Sequence, residues 1–169
     1  MTPEEFEQAA NYWIAKEAEA RRMPADELRA EVDAFLSGHD VCALACGNGD
    51  FVRCTPLEYA WRDGAVWIFS EGGLKFRALA HNDNVSLSVF EPDCGFGKLQ
   101  SAQITGKAQV VDPMSEEFAS AAAAKGLPAG ALDKLRRMLH LIKIEPSRID
   151  YLCSSLKARG YDSRQWLDC

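Results

Sequence analysis

A chain of 169 residues with 47% hydrophobic and 26% charged residues has the balance of one folded domain with a real core. A net charge of −6 excludes a broad basic surface for nucleic acid, while leaving room for a local cationic pocket. No apolar run approaches the ~18 residues that a membrane-spanning helix needs, and the acidic, helix-patterned N-terminus is not a secretory signal, so a cytoplasmic protein without membrane partners is expected.

The first helix is predicted from Thr2 to Arg22, with Thr2 as N-cap, Pro3 in the first helical position and Glu4 and Glu5 in the first turn. Phe6, Ala10, Trp13, Ile14 and Ala18 recur at helical spacing and are expected to pack inward. Pro24 opens a second helix that runs through Leu36 and stops at Gly38, with Leu28, Val32, Phe35 and Leu36 inward. Residues 1–38 therefore read as a helical cover or a dimer contact.

Val41 to Cys46 is a short apolar strand, and Gly47-Asn48-Gly49-Asp50 is a hairpin turn. Phe51 to Trp61 is the second strand, Arg62-Asp63-Gly64 the next turn, and Ala65 to Ser70 the third strand of a meander. Glu71-Gly72-Gly73 breaks the pattern before a short helix from Leu74 to His81, with Leu74, Ala78 and Leu79 inward. Val85 to Phe90 alternates as a half-buried strand, Pro92 to Gly97 is a loop, and Leu99 to Val111 is a long strand. Gly106 inside that strand marks a bulge or a close backbone approach.

Ser115 to Lys125 is a helix without a capping box, since Phe118 stands where a Glu or Gln is needed. Ala131 to Arg137 is another short helix, Leu139 to Glu145 a strand, and Ile149 to Cys153 its continuation past Pro146. The tail from 154 to 169 has no clear period. The chain thus reads as mainly β with flanking helices. A six-stranded antiparallel barrel spans 39–153, with a helical insertion near 115–137 and one structural domain overall.

The six cysteines form no Cys-x-x-Cys pair and no zinc-spaced set, so no metal site is expected. Cys42 and Cys46 share a strand face and read as small buried apolar residues. No Ser/His/Asp set or paired catalytic carboxylates stand out, and no catalytic residue is assigned. His39, His81 and His140 read as caps, solvated or structural residues, and the four tryptophans as core or interface aromatics.

Three clusters carry possible chemistry. Arg53 and Thr55 share a strand face, and a guanidinium beside a hydroxyl suits a phosphate. Gly72-Gly73-Leu74-Lys75 combines glycines, a helix start and a cation, a plausible anion site that is not a P-loop. Gln100-Ser101 offers an amide and a hydroxyl, which suit the edge of a flavin ring.

In order, Arg53-Cys54-Thr55-Pro56-Leu57, Trp67-Ile68-Phe69-Ser70, Lys75, Asn82-Asp83-Asn84, Val85-Ser86-Leu87-Ser88-Val89 and Gln100 to Gly106 resemble the pyridoxamine 5'-phosphate oxidase-like family of split β-barrels that bind FMN. The resemblance covers residues 38 to 112, with Ile142 to Leu152 a weaker match to the family's closing strand. It implies that Arg53, Thr55 and Lys75 hold the FMN phosphate and that Phe69 and Ser70 line its phosphate and ribityl side. Gln100 or Ser101 would then approach the isoalloxazine. It also implies a homodimer with the flavin at the two-fold interface, acting as an FMN-dependent oxidoreductase on a small molecule.

Two departures stand out. True pyridoxamine phosphate oxidases close the Arg-bearing strand with a lysine, where this chain has Glu58, and they end with an Arg-x-His element near a Trp. Here the tail offers Arg159, Arg164 and Trp166 but no histidine after His140. Vitamin B6 oxidation is therefore not expected. A non-enzymatic flavin or haem binder is the alternative.

Overall fold

The computed structural model describes residues 1–92, 94–95 and 97–169, so Asp93 and Phe96 of the loop expected at Pro92 to Gly97 lie outside the described residues. Eight strands form one antiparallel sheet among the described residues: β1 (Val41–Asn48), β2 (Phe51–Glu58), β3 (Ala60–Arg62), β4 (Ala65–Ser70), β5 (Asn84–Phe90), β6 (Gln100–Val111), β7 (His140–Cys153) and β8 (Arg164–Asp168). The helices are α1 (Pro3–Glu17), α2 (Ala25–Ser37), α3 (Lys75–Leu79), α4 (Glu116–Ala124) and α5 (Leu132–Met138).

Strand order is β2-β1-β5-β6-β7-β4-β3, with β8 paired to β7. The two ends of this order are successive segments of one stretch of chain. Only Tyr59 separates β2 from β3, so a single extended run leaves one edge of the sheet and enters the other. The sheet therefore curls into a split barrel. Tyr59 fixes the corner: its N–H donates to Asp40 O at 2.8 Å and its hydroxyl to Leu36 O at 2.7 Å.

Alternation along the strands builds the core. Cys42, Leu44 and Cys46 of β1, Val85, Leu87 and Val89 of β5, Ala102 and Ile104 of β6, and Val66 and Ile68 of β4 all face inward. Helix α2 caps this core with Leu28, Val32, Phe35 and Leu36, as its periodicity requires. Burial pushes the Cys42 thiol up to about 12, in keeping with its reading as a small hydrophobe. All six cysteines are free thiols. A smaller core lies on the outer face of β4 and β7, where Phe118 of α4 packs with Trp67 and Leu141. Burying that phenyl ring completely contributes roughly 2–3 kcal/mol.

The turns follow their residues. Gly49 has φ 57°, and Asp63 and Gly64 have φ 54° and 72°, the left-handed pair that a tight hairpin demands. The register of β6 against β7 shifts between Thr105 and Gly106, and a Cβ at Gly106 would stand 2.2 Å from Glu145 O. Pro146 pairs with Gly106 at this irregularity, so its missing N–H interrupts no regular ladder and β7 runs unbroken through it.

Three expectations need correction. Two strands join the expected six. The run from Phe51 divides at the Tyr59 corner, and the tail adds β8, whose Gln165 and Leu167 are buried. Helix α3 is a single turn whose buried residues are Lys75 and Ala78, with Leu74 as an exposed N-cap. Helix α1 has the expected start, now with a complete capping box between Thr2 and Glu5, but buries none of its residues. Phe6, Trp13 and Ile14 remain half exposed or more.

Candidate functional site: a cation cluster at one barrel end and a cavity at the other

Arg53 pairs with Cys46 and Thr55 with Leu44 in the β1–β2 register, so both side chains leave on the barrel side of the sheet. Thr55 is half buried and Arg53 is exposed at the rim. Ser70 ends β4 on the same inward face as Val66 and Ile68. Its hydroxyl donates to Gly72 O and accepts from Gly72 N–H, each at 3.2 Å. Gly72 and Gly73 take φ 134° and 108°, which only glycine adopts without strain, and this bend swings the chain back so that Lys75 lies under it. Lys75 is 4% exposed, and its ammonium donates to Gly72 O.

Cys46 links the two segments. Its thiol donates to Lys75 O at 3.7 Å, and it stands across from Arg53. Burial raises its pKa first; Lys75 and Arg53 both pull it back down, while Cys54 adds to the rise. Both cations thus act on one thiol. Burial also holds the Lys75 ammonium below the ordinary lysine value. Arg77 adds a third cation, its guanidinium 5.4 Å from the Phe51 ring at the start of β2. None of Arg53, Lys75 and Arg77 has a carboxylate within salt-bridge distance among the described residues. A buried cation without a counter-ion is costly, and an anionic group placed there removes the cost. With two hydroxyls facing the same way, this is chemistry for a phosphate. Helix α3, at five residues, is too short for its dipole to add much.

Phe69 does not join this group. It points to the opposite face of β4 and meets Phe118 edge-on at 5.5 Å, as strand alternation from Ser70 requires. Gln100 and Ser101 lie at the other end of the barrel in the same chain. Cys46 pairs with Val85 and Val85 with Gly106, so Gln100 stands six residues along β6 from the level of the cations. That is about 20 Å at ~3.3 Å per residue.

The two neighbours also face opposite sides. Gln100 turns toward the core, where its amide donates to the Tyr151 hydroxyl at 2.6 Å. Ser101 turns outward into a cavity of about 570 Å³ between α1 and the sheet, lined also by Gln103, Trp13, Arg164 and Trp166. This is within the range of small-molecule sites. The Arg164 guanidinium lies 4.0 Å from the centre of the Trp13 ring, and that of Arg22 lies 3.9 Å from Trp166. Sequence reasoning missed Arg77 and the role of α1 as a cavity wall. The signal for Arg77 was its place two residues after Lys75; α1 carried none.

His39 is tied at both ring nitrogens, to Phe35 O at 2.7 Å and Glu91 at 3.2 Å. His81 and His140 are at the surface. Among the described residues no three His, Cys, Asp or Glu groups cluster as metal ligands, and no helix is long and apolar enough to cross a membrane. Glu58 faces outward from β2 and pairs with Lys125 at 2.8 Å.

A family model described as pyridoxamine 5'-phosphate oxidase matches residues 28–153. Among solved structures the chain is similar to an FAD-binding protein from Mesorhizobium loti, with 21% identity, TM-score 0.59, and 72% of this chain and 89% of that one covered. It is similar to ChuZ from Campylobacter jejuni, with 15% identity, TM-score 0.65, and coverage of 87% and 61%. It is also similar to a haem-binding protein from Mycobacterium smegmatis, with 19% identity, TM-score 0.62, and coverage of 87% and 59%. These likenesses carry the fold. No curated protein matches the sequence.

Proposed function

This chain belongs to the pyridoxamine 5'-phosphate oxidase family, and we propose that it binds FMN and uses it as a flavin-dependent oxidoreductase on a small molecule. One observation carries the reading: Lys75 is a buried lysine with no carboxylate partner among the described residues, held beside Ser70 through Gly72, with its backbone bonded to Cys46, the residue across from Arg53. In this reading Lys75 and Arg53 bind the phosphate, and the Thr55 and Ser70 hydroxyls orient it. Bound flavin would supply hydride or electron transfer, and the chain's own residues would hold it and shield it from water.

The ring would lie toward a Ser101–Trp166 cavity. One chain keeps that cavity far from its own cations, so the reading calls for two copies, with each site built from both. The outer face of β1, β2 and β5 suits such a contact. Val41, Ala43, Ala45, Val52, Cys54 and Pro56 carry no charge there, and Val52 is 76% exposed. This face runs into the cavity wall, since Phe90 of β5 pairs with Ser101. The homodimer would act in the cytoplasm.

The likeness to a haem-binding protein raises a second reading, in which the barrel binds haem. Such a site needs an axial ligand, and His39 is engaged at both nitrogens, leaving His81 and His140 on the surface. Flavin is the better fit. The absorption spectrum of the purified protein, with the cofactor released by heat and identified by mass, separates the two. FMN is expected. A haemochrome spectrum lost on one His→Ala change supports haem, and a colourless protein without flavin affinity contradicts both.

A further inference from the structure

The cavity's remaining wall is α1, which lies outside residues 28–153 matched by the family model. It contributes Trp13, Lys16 and Glu17, and the turn after it contributes Glu19. Charge around the space is uneven. Glu17 and Asp150 share one guanidinium, Arg148, at 2.5 and 2.7 Å, and Asp162 pairs with Arg21 at 3.7 Å. The cations lining it, Lys16, Lys157 and Arg164, have no carboxylate partner among the described residues. Glu19 is the one lining carboxylate with no salt-bridge partner among the described residues. Three lining cations are thus free to meet an anion, against one lining carboxylate without a salt-bridge partner among the described residues. Its walls are flat: Trp13 from α1 faces the sheet that carries Trp166. Arg164, stacked on Trp13, presents the planar fork that matches a carboxylate.

We propose that Trp13 and Lys16 of α1 select the occupant of this cavity, a planar aromatic carboxylate that packs on the tryptophans and pairs with Arg164. The inference names a substrate class and rests on reading the cavity as the substrate side of the flavin site. The three cations stand on separate elements, α1, the 3-10 turn Ser154–Arg159 and β8, rather than in one cradle. That spread suits a singly charged group on a ring more than a phosphate.

The test is calorimetric titration of the full-length, flavin-free protein with 2-naphthoate. Two comparators share one half of its chemistry: 2-naphthylmethylammonium keeps the ring and reverses the charge, and cyclohexanecarboxylate keeps the charge without the aromatic ring. Saturable binding of 2-naphthoate is expected, at least tenfold tighter than either comparator and weakened at least tenfold by Trp13→Ala and by Arg164→Gln. Lys16→Gln is expected to narrow the preference over the ammonium compound. Absence of saturable binding, equal binding of the comparators, or affinity unchanged in Trp13→Ala overturns the proposal. FMN binding is measured separately on the same preparation. Naphthoate binding with no FMN binding would sink the flavin reading and leave the cavity's ligand class standing; the reverse result would sink the ligand class alone.

Discussion

Lys75 is the residue on which the electrostatics turn. Its burial lowers its pKa, so the unfolded chain holds that proton more tightly than the folded one. By linkage this group alone makes stability rise with pH through the range below the ordinary lysine value of about 10.4. An anion favours the charged ammonium and reverses the preference. FMN affinity is therefore expected to fall as pH rises from neutrality through the lowered value, earlier than an ordinary lysine would allow. Lys75→Arg should flatten the profile, because a guanidinium stays charged. A flat wild-type profile up to pH 10 would remove Lys75 from the site.

Gly106 gives a second expectation at this scale, since a Cβ there meets the Glu145 carbonyl at 2.2 Å. Gly106→Ala should cost roughly 1–3 kcal/mol by overpacking and lower Tm by several degrees in a thermal melt. An unchanged melt would mean that the β6–β7 bulge relaxes freely. This bulge was legible in the sequence as a glycine inside a strand pattern. The burial of Lys75 was not, because a helix of one turn has too few residues to fix its phase. Phe69 and Ser70 could have been separated by alternation alone, since only one of two neighbours in a strand can face a given side.

Elements of the barrel were legible where periodicity and turn residues agreed, as in the hairpin from Val41 to Glu58 and the long strand ending at Val111; the meander expected through Ser70 was not, because the chain crosses at Tyr59 to the other edge of the sheet. Strand β8 was not, since five residues with two buried give no measurable period. The level of Gln100 relative to Arg53 was hidden for another reason: it depends on the registers of two successive strand pairs, which no single strand encodes. Helix α1 shows the limit of pattern reading in the other direction. It has an apolar stripe and a capping box, yet buries nothing, and is held mainly by Glu17–Arg148 and the Trp13–Arg164 stack. An isolated helix of this length is marginal in water. In hydrogen exchange, α1 amides are expected to exchange orders of magnitude faster than those of β6 and β7. Protection of α1 equal to that of the barrel would show it to be an integral wall.

The whole molecule, in this account, is half of an assembly. The outer face of β1 and β2, charged only at its Glu58 end, exposes the Cys54 thiol in the single chain. Cys54 is expected to be alkylated readily at dilutions where sedimentation shows monomer and slowly where it shows dimer, while buried Cys42 and Cys153 stay protected in both. Cys54 labelling that ignores the association state would place the interface elsewhere.

The flavin reading stands on a phosphate held by Arg53 and Lys75. The most direct measurement compares FMN with riboflavin, the same ring without phosphate, by titration of the flavin-free protein. FMN should bind far more tightly than riboflavin to the wild type. Arg53→Ala with Lys75→Ala should remove most of that difference, a loss of roughly 1.5–3 kcal/mol per charged hydrogen bond. Equal affinity for the two flavins in the wild type, or a difference that survives the double substitution, would contradict it.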